Sequence, residues 1–182
     1  VPITSAESFA QTLIKTRQAQ QVWQNIEIKD RAQRIRNLYK IFLTKAPDFA
    51  AIIQEEQGKS FVESYSGEIL SSAELFKYWP AKAPKLLRTE KQKLDPLQFP
   101  KKSGHLELLP KGIIGLITPW NYPLSIPLRT IVPALMAGNA IMFKPSEHAA
   151  RIGAALTDIF NELGIENLVS LIQGDGANGK LL

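Results

Sequence analysis

Asn121 stands in the run Pro119-Trp120-Asn121-Tyr122-Pro123, where two flanking prolines stiffen the backbone enough to aim a side chain. An amide held that way can donate to an oxygen that gains negative charge during a reaction. Taken alone, the run is equally a rigid aromatic turn. Lys144-Pro145-Ser146-Glu147 presents an ammonium and a carboxylate from one short turn. The pair suits a nucleotide, the cation meeting ribose or phosphate oxygens and the carboxylate accepting from ribose hydroxyls. Its plainer reading is a surface ion pair at the start of a helix, with Ser146 as N-cap. Gly174-Asp175-Gly176-Ala177-Asn178-Gly179 satisfies G-x-G-x-x-G letter for letter. A dinucleotide fingerprint also needs a following helix and an acidic residue about twenty positions on. Leu182 comes too soon for either, and a glycine-rich loop leaving a strand accounts for the motif. The sequence has no cysteine, which excludes disulfides, thiolate metal sites and a cysteine nucleophile within these residues. His105 and His148 lack metal-ligand spacing and read as surface residues.

The elements that must position these residues are short and alternate. Ile113–Thr118, Ala140–Lys144 and Leu168–Gln173 are apolar runs of strand length. Helical patterns fill the gaps, at about Leu124–Ala137 and Ala149–Leu163, the second stopped by Gly164. Strands alternating with helices at that spacing predict a parallel sheet with crossover helices. Both polar turns then fall just beyond the carboxyl ends of strands, where open α/β sheets bind ligands. Residues 1–85 read as helices. Thr4 and Glu7 are expected to form a capping box, as are Asp30 and Gln33 ahead of the apolar stripe Ile35, Leu38, Tyr39, Phe42 and Leu43. Pro47 fits the first turn of a helix ending at Gly58, and Ser60 with Glu63 opens another that Pro80 and Pro84 should end. Residues 86–110 are polar, basic and interrupted by proline, as in an exposed hairpin or arm. Residues 111–182 form the α/β part.

The formal charge of +5 comes from 22 Lys+Arg against 17 Asp+Glu, and the excess lies between Lys82 and Lys111. Without interleaved aromatics this stretch reads as a solvated surface, so no nucleic-acid partner is expected. No apolar run approaches the roughly 18 residues needed to span a bilayer. Val1-Pro2-Ile3 carries no secretory pattern and reads as a trimmed start, and a cytoplasmic location is expected.

Taken in order, these segments resemble the aldehyde dehydrogenase family. The stretch from Pro110 through Asn121 to Pro123 is similar to the family's approach to its active-site asparagine. Pro133-Ala134-Leu135-Met136-Ala137-Gly138-Asn139 and Lys144-Pro145-Ser146-Glu147 look like its next two landmarks, and Glu56-Gln57-Gly58-Lys59 is similar to its helix-ending E-x-G-K. The resemblance covers essentially the whole chain.

The resemblance implies N-terminal helices plus part of a doubly wound parallel sheet, an incomplete Rossmann-like domain. It implies oxidation of a small-molecule aldehyde to a carboxylic acid with NAD, or alternatively NADP, as cofactor. Asn121 would supply the oxyanion-hole amide. Ile117, Thr118 and Trp120 would line the nicotinamide side, Lys144, Ser146 and Glu147 would serve the adenosine ribose, and Gly176 would pass the adenine. Glu147 would favour NAD, since a 2′-phosphate would face its negative charge. Arg129 lies where members acting on succinate semialdehyde also place an arginine, and could pair with a substrate carboxylate. The family's cysteine nucleophile, glutamate base and last oligomerisation strands have no counterpart here. The chain is therefore expected to be inactive alone, to expose the edge of its last strand, and to belong to a homo-oligomer when complete. The alternative is a non-catalytic nucleotide-binding or scaffold protein of the same fold. A CoA-acylating relative is a further alternative that fits the two motifs less well.

Overall fold

A computed structural model describes residues 2–182. Helices α1 (Ala6–Gln24), α2 (Ile28–Thr44) and α3 (Ala46–Gln57) lead the chain. Ser5, not Thr4, caps α1, its hydroxyl accepting from the Ser8 N–H at 3.1 Å. Thr4 is engaged elsewhere: its N–H donates to the Gln173 carbonyl and its hydroxyl accepts from the Gln173 N–H, both at 2.9 Å. The expected Asp30 cap is also displaced, because α2 starts after Glu27 without a side-chain cap and Asp30 lies inside its first turn, where a negative charge faces the helix dipole favourably. Pro47 does sit in the first turn of α3, and Gly58 ends it at φ 69°, a left-handed conformation that costs glycine little.

Ser60 and Glu63 open α4 (Phe61–Glu63) as expected, and do so as a capping box. A π-helical stretch, Ser64–Leu70, runs from there into α5 (Ser71–Ala73) and then α6 (Leu75–Leu86). Pro80 and Pro84 lie within α6 instead of ending it. Each removes one intrahelical hydrogen bond, at about 3 kcal/mol, but α6 packs along α2 and buries Phe76, Pro80 and Ala83 there. Tertiary burial outweighs local propensity at this helix.

Strands β1 (Glu90–Gln92) and β2 (Gly104–Leu106) pair antiparallel as an exposed hairpin, with Lys91 opposite His105. Then β3 (Ile113–Ile117), α7 (Ser125–Met136), β4 (Ala140–Lys144), α8 (Ala150–Asp158), β5 (Val169–Leu171) and α9 (Gly176–Gly179) complete the chain. The sheet is parallel in the order β3-β4-β5, and Ile117 registers with Lys144. Ser170 and Met142 are register partners, so their side chains share one face, and the Ser170 hydroxyl meets Thr16 of α1 at 2.7 Å. The alternate residues, Ile141, Phe143, Val169 and Leu171, therefore face the side of α7 and α8. Helices on both faces explain why every residue of β4 is buried.

The core is continuous from the helices into the sheet. Phe42 packs in tilted pairs with Phe49 and Phe76, ring centres 5.4 and 5.2 Å apart, Phe76 meets Phe160 at 6.4 Å, and the buried Trp23 donates its indole N–H to the Leu135 carbonyl at 2.8 Å. In the order β3-β4-β5 both β3 and β5 lie at an edge of the sheet. Val169 and Ser170 of β5 are buried and the chain beyond β5 meets Thr4 at Gln173, whereas Gly115 and Ile117 of β3 are exposed.

Candidate active site

The carboxyl ends of β3 and β4 form the floor of the site. Thr118 follows β3 directly and donates its N–H to the Lys144 carbonyl at 3.2 Å, which joins the two strand ends. Its hydroxyl is buried and has no hydrogen-bond partner among the described residues. Lys144 is 3% exposed, yet its ammonium meets only the Pro145 carbonyl, at 3.2 Å. A buried ammonium ordinarily has a carboxylate partner, because removing it from water is costly. Two of its three protons have no acceptor among the described residues, which leaves them for ligand oxygens. The surface ion pair read from the sequence is thus not what Lys144 forms.

Ser146 does act as an N-cap, its hydroxyl accepting from the His148 N–H at 3.3 Å ahead of a 3-10 turn at Glu147–Ala149. Glu147 is exposed, and a hydrogen bond with its own backbone, with the Lys144 charge as a lesser cause, holds its carboxyl below the usual carboxylate range. It is therefore an ionised acceptor in neutral solution. Gly153 lets α8 come against this turn, since a Cβ there would lie 2.5 Å from Cγ of Pro145.

The loop after Thr118 carries Trp120, Asn121 and Tyr122, all exposed, before Pro123 turns buried into α7. Arg129 lies exposed on α7. Glycine-rich residues close the far side: a Cβ on Gly179 would lie 3.6 Å from Ile117 and 3.8 Å from the Lys144 stem. The structure thus brings Ile117, Thr118, Lys144 and the α9 segment together. Gly176 opens α9, and a Cβ there would meet nothing within 4 Å, so Gly179 is the glycine that faces Ile117 and Lys144. The G-x-G-x-x-G run is no phosphate cradle, because the Asp175 carboxylate already accepts from the Ala177 N–H at 2.8 Å.

Three residues from the N-terminal helical part organise the site. The Glu56 carboxylate accepts from the N–H groups of Arg151 and Ile152 at 2.7 and 3.0 Å, capping α8. Glu68, fully buried, accepts from Leu124 and Ser125 at 3.0 and 3.2 Å, capping α7. Lys59 pairs with Glu68 and donates to the Asn121 carbonyl at 2.6 Å. Carboxylates thus occupy the N-termini of both crossover helices, the positions where many dinucleotide folds bind pyrophosphate. Glu56 and Lys59 belong to the E-x-G-K run. No sequence signal marked Glu68, whose partners are decided by the turn of a π-helix.

The fold defines an α/β protein with helices on both faces of a parallel sheet and polar groups gathered at its strand ends. The sequence profile described as "Aldehyde dehydrogenase family" matches residues 1–181, and the chain belongs to that family. It is 32% identical over 179 residues to a 4,4'-diapolycopene aldehyde oxidase of Methylomonas sp., covering 98% of this chain and 34% of that protein. It is 28% identical to an alpha-ketoglutarate semialdehyde dehydrogenase of Haloferax volcanii, over 88% of this chain and 32% of that one. The chain spans about a third of the length of these curated relatives. Among solved structures, a Bradyrhizobium japonicum proline utilization A variant superposes with TM-score 0.90 at 26% identity, covering 100% of this chain and 18% of that one. PnpE in complex with nicotinamide adenine dinucleotide superposes with TM-score 0.92 over 100% of this chain and 37% of its own; at 22% identity it shares the fold.

Proposed function

We propose that this chain supplies the cofactor crevice and the oxyanion donor of an enzyme that oxidises an aldehyde to a carboxylic acid with NAD(P). The observation that carries the reading is a pair of buried polar groups at the joined strand ends: the Lys144 ammonium, whose one partner is the Pro145 carbonyl, and the Thr118 hydroxyl, which has no partner among the described residues. They fit a polar, hydroxyl-rich ligand, and the ionised Glu147 beside them fits a ribose diol. The cofactor, when bound, would accept the hydride that leaves the aldehyde carbon. Lys144 and Glu147 would orient its ribose, while Ile117, Thr118 and Trp120 would face the nicotinamide side. The negative charge of Glu147 supports a preference for NAD over NADP.

Asn121 would donate its side-chain amide to the aldehyde oxygen as that oxygen gains charge under nucleophilic attack. These residues contain no cysteine, so the covalent step needs a thiolate from elsewhere and the 182-residue chain alone turns over no aldehyde. Arg129 on α7, together with the likeness to a semialdehyde dehydrogenase, supports a substrate with a carboxylate at its far end. The exposed Leu97, Phe99, Leu106, Leu108 and Leu109 of the hairpin arm support a homo-oligomer. The missing cysteine favours one second reading, a non-catalytic nucleotide-binding protein; tight NAD binding by the isolated 182 residues would support it.

The test is NAD(P)H formation by the gene product that carries these residues, with succinate semialdehyde compared with an unbranched apolar aldehyde. Asn121→Ala should lower kcat about 10²- to 10³-fold, and Arg129→Leu should remove the preference for the semialdehyde. Absence of NAD(P)H formation with both aldehydes and both cofactors would overturn the enzymatic reading.

A further inference from the structure

We propose that Lys59 and Glu68 form a positioning pair that fixes the Asn121 loop for oxyanion stabilisation; the role rests on Asn121 acting as described above. One ion pair grips the loop on both sides of Pro123. Upstream, the Lys59 ammonium donates to the Asn121 carbonyl at 2.6 Å and lies 4.3 Å from the centre of the Tyr122 ring. Downstream, Glu68 accepts from the N–H groups of Leu124 and Ser125 at 3.0 and 3.2 Å. Its other oxygen meets Lys59, so the two grips are one unit.

The direction of the constraint matters. A peptide is planar, so fixing the Asn121 carbonyl fixes the rotation of the peptide that leaves this residue and restricts where its side chain points. The side-chain amide of Asn121 stays free to donate outward, because the lysine takes the backbone oxygen. Lys59 itself is placed by the left-handed turn at Gly58, and Glu68 by the π-helical stretch Ser64–Leu70. Such stretches recur at functional sites because they turn one side chain out of the ordinary helical register.

Stability alone does not explain the pair. The Glu68 side chain is 0% exposed and that of Lys59 21%, and a buried ion pair is commonly replaceable by apolar side chains without loss of stability. What apolar groups cannot do is cap two N–H groups and hold a carbonyl at once.

The pair is tested in the gene product that carries these residues, with Lys59→Met, Lys59→Arg and Glu68→Gln. Phe42→Leu, in the aromatic core, controls for destabilisation alone. Lys59→Met and Glu68→Gln should lower aldehyde kcat/KM by about 10- to 100-fold, the scale of a misplacement near 1 Å, with the NAD(P) dissociation constant unchanged. Lys59→Arg should recover part of the loss, and Phe42→Leu should leave kcat/KM at the wild-type value. An unchanged kcat/KM in Lys59→Met, or an equal loss in Phe42→Leu at matched Tm, overturns the proposal. Amide hydrogen exchange at Leu124 and Ser125 gives a readout that needs no turnover. Both pair variants should speed it about tenfold, and exchange at the wild-type rate overturns the pair even in a protein inert toward aldehydes. Such inertness with accelerated exchange would overturn the role of Asn121 and leave the pair standing as the brace of the loop.

Discussion

Replacing Lys144 by methionine should make the protein more stable and its cofactor binding weaker. The ammonium is 3% exposed with a single carbonyl partner at 3.2 Å, so folding strips most of its hydration and returns little. Methionine keeps the length of the stem that lies against Gly179 and Ile117 while removing the charge. Replacing buried charges by apolar groups of similar volume is neutral or stabilising by about 1–4 kcal/mol, and the lower half of that range is expected where one carbonyl bond is lost. The cofactor loses hydrogen bonds to a charged donor, at about 1.5–3 kcal/mol, equivalent to roughly 10- to 150-fold in Kd. Calorimetric Tm and titration of NAD into wild type and Lys144→Met measure both quantities on the same samples. A lower Tm with unchanged NAD affinity would refute the reasoning, since it would make Lys144 a structural residue whose charge the fold itself requires.

Two further outcomes follow from the same geometry. Gly153→Ala should push the Lys144–Glu147 turn away from α8, because the new Cβ would sit 2.5 Å from Pro145; a loss of about 1–3 kcal/mol in stability with a raised KM for NAD is expected, and an unchanged KM would show that the turn does not bind it. Glu63, held below the usual carboxylate range mainly by hydrogen bonds with the Ser60 backbone and hydroxyl, should stabilise the folded chain fully above the unfolded carboxylate pKa of about 4.3 and lose that effect as pH falls through its lower folded value. The Tm difference between wild type and Glu63→Ala should therefore shrink through that acid window, and a difference independent of pH would count against the capping box.

Where a local pattern had one physical solution, the sequence was enough. The apolar runs at Ile113–Thr118, Ala140–Lys144 and Leu168–Gln173 could bury both faces only as parallel strands, and β3, β4 and β5 lie within them. Gly58 and Gly164 end helices with φ of 69° and 76°, as glycine after an apolar helical pattern leads one to expect. The failures share a cause as well. Thr4, Asp30 and the two prolines of α6 are misjudged from their sequence neighbours, because Thr4 is taken by Gln173 and α6 continues through Pro80 and Pro84 while packing on α2.

The site divides along the same line. Asn121, Lys144 and Glu147 could be picked out because their own loops carry the prolines that stiffen them. Glu68 could not, because its meaning depends on which N–H groups and which ammonium the fold delivers to it: Leu124 and Ser125 from a helix 56 and 57 positions away, and Lys59 from the turn before it. Glu56 acts across 95 and 96 positions on Arg151 and Ile152. The E-x-G-K run therefore has a physical content that the four letters do not display. Its glutamate caps the helix behind the Lys144–Glu147 turn, its glycine reverses the chain, and its lysine reaches the carbonyl of Asn121. One helix end thus braces both the Lys144–Glu147 turn, through the cap on α8, and the Asn121 loop, through its lysine.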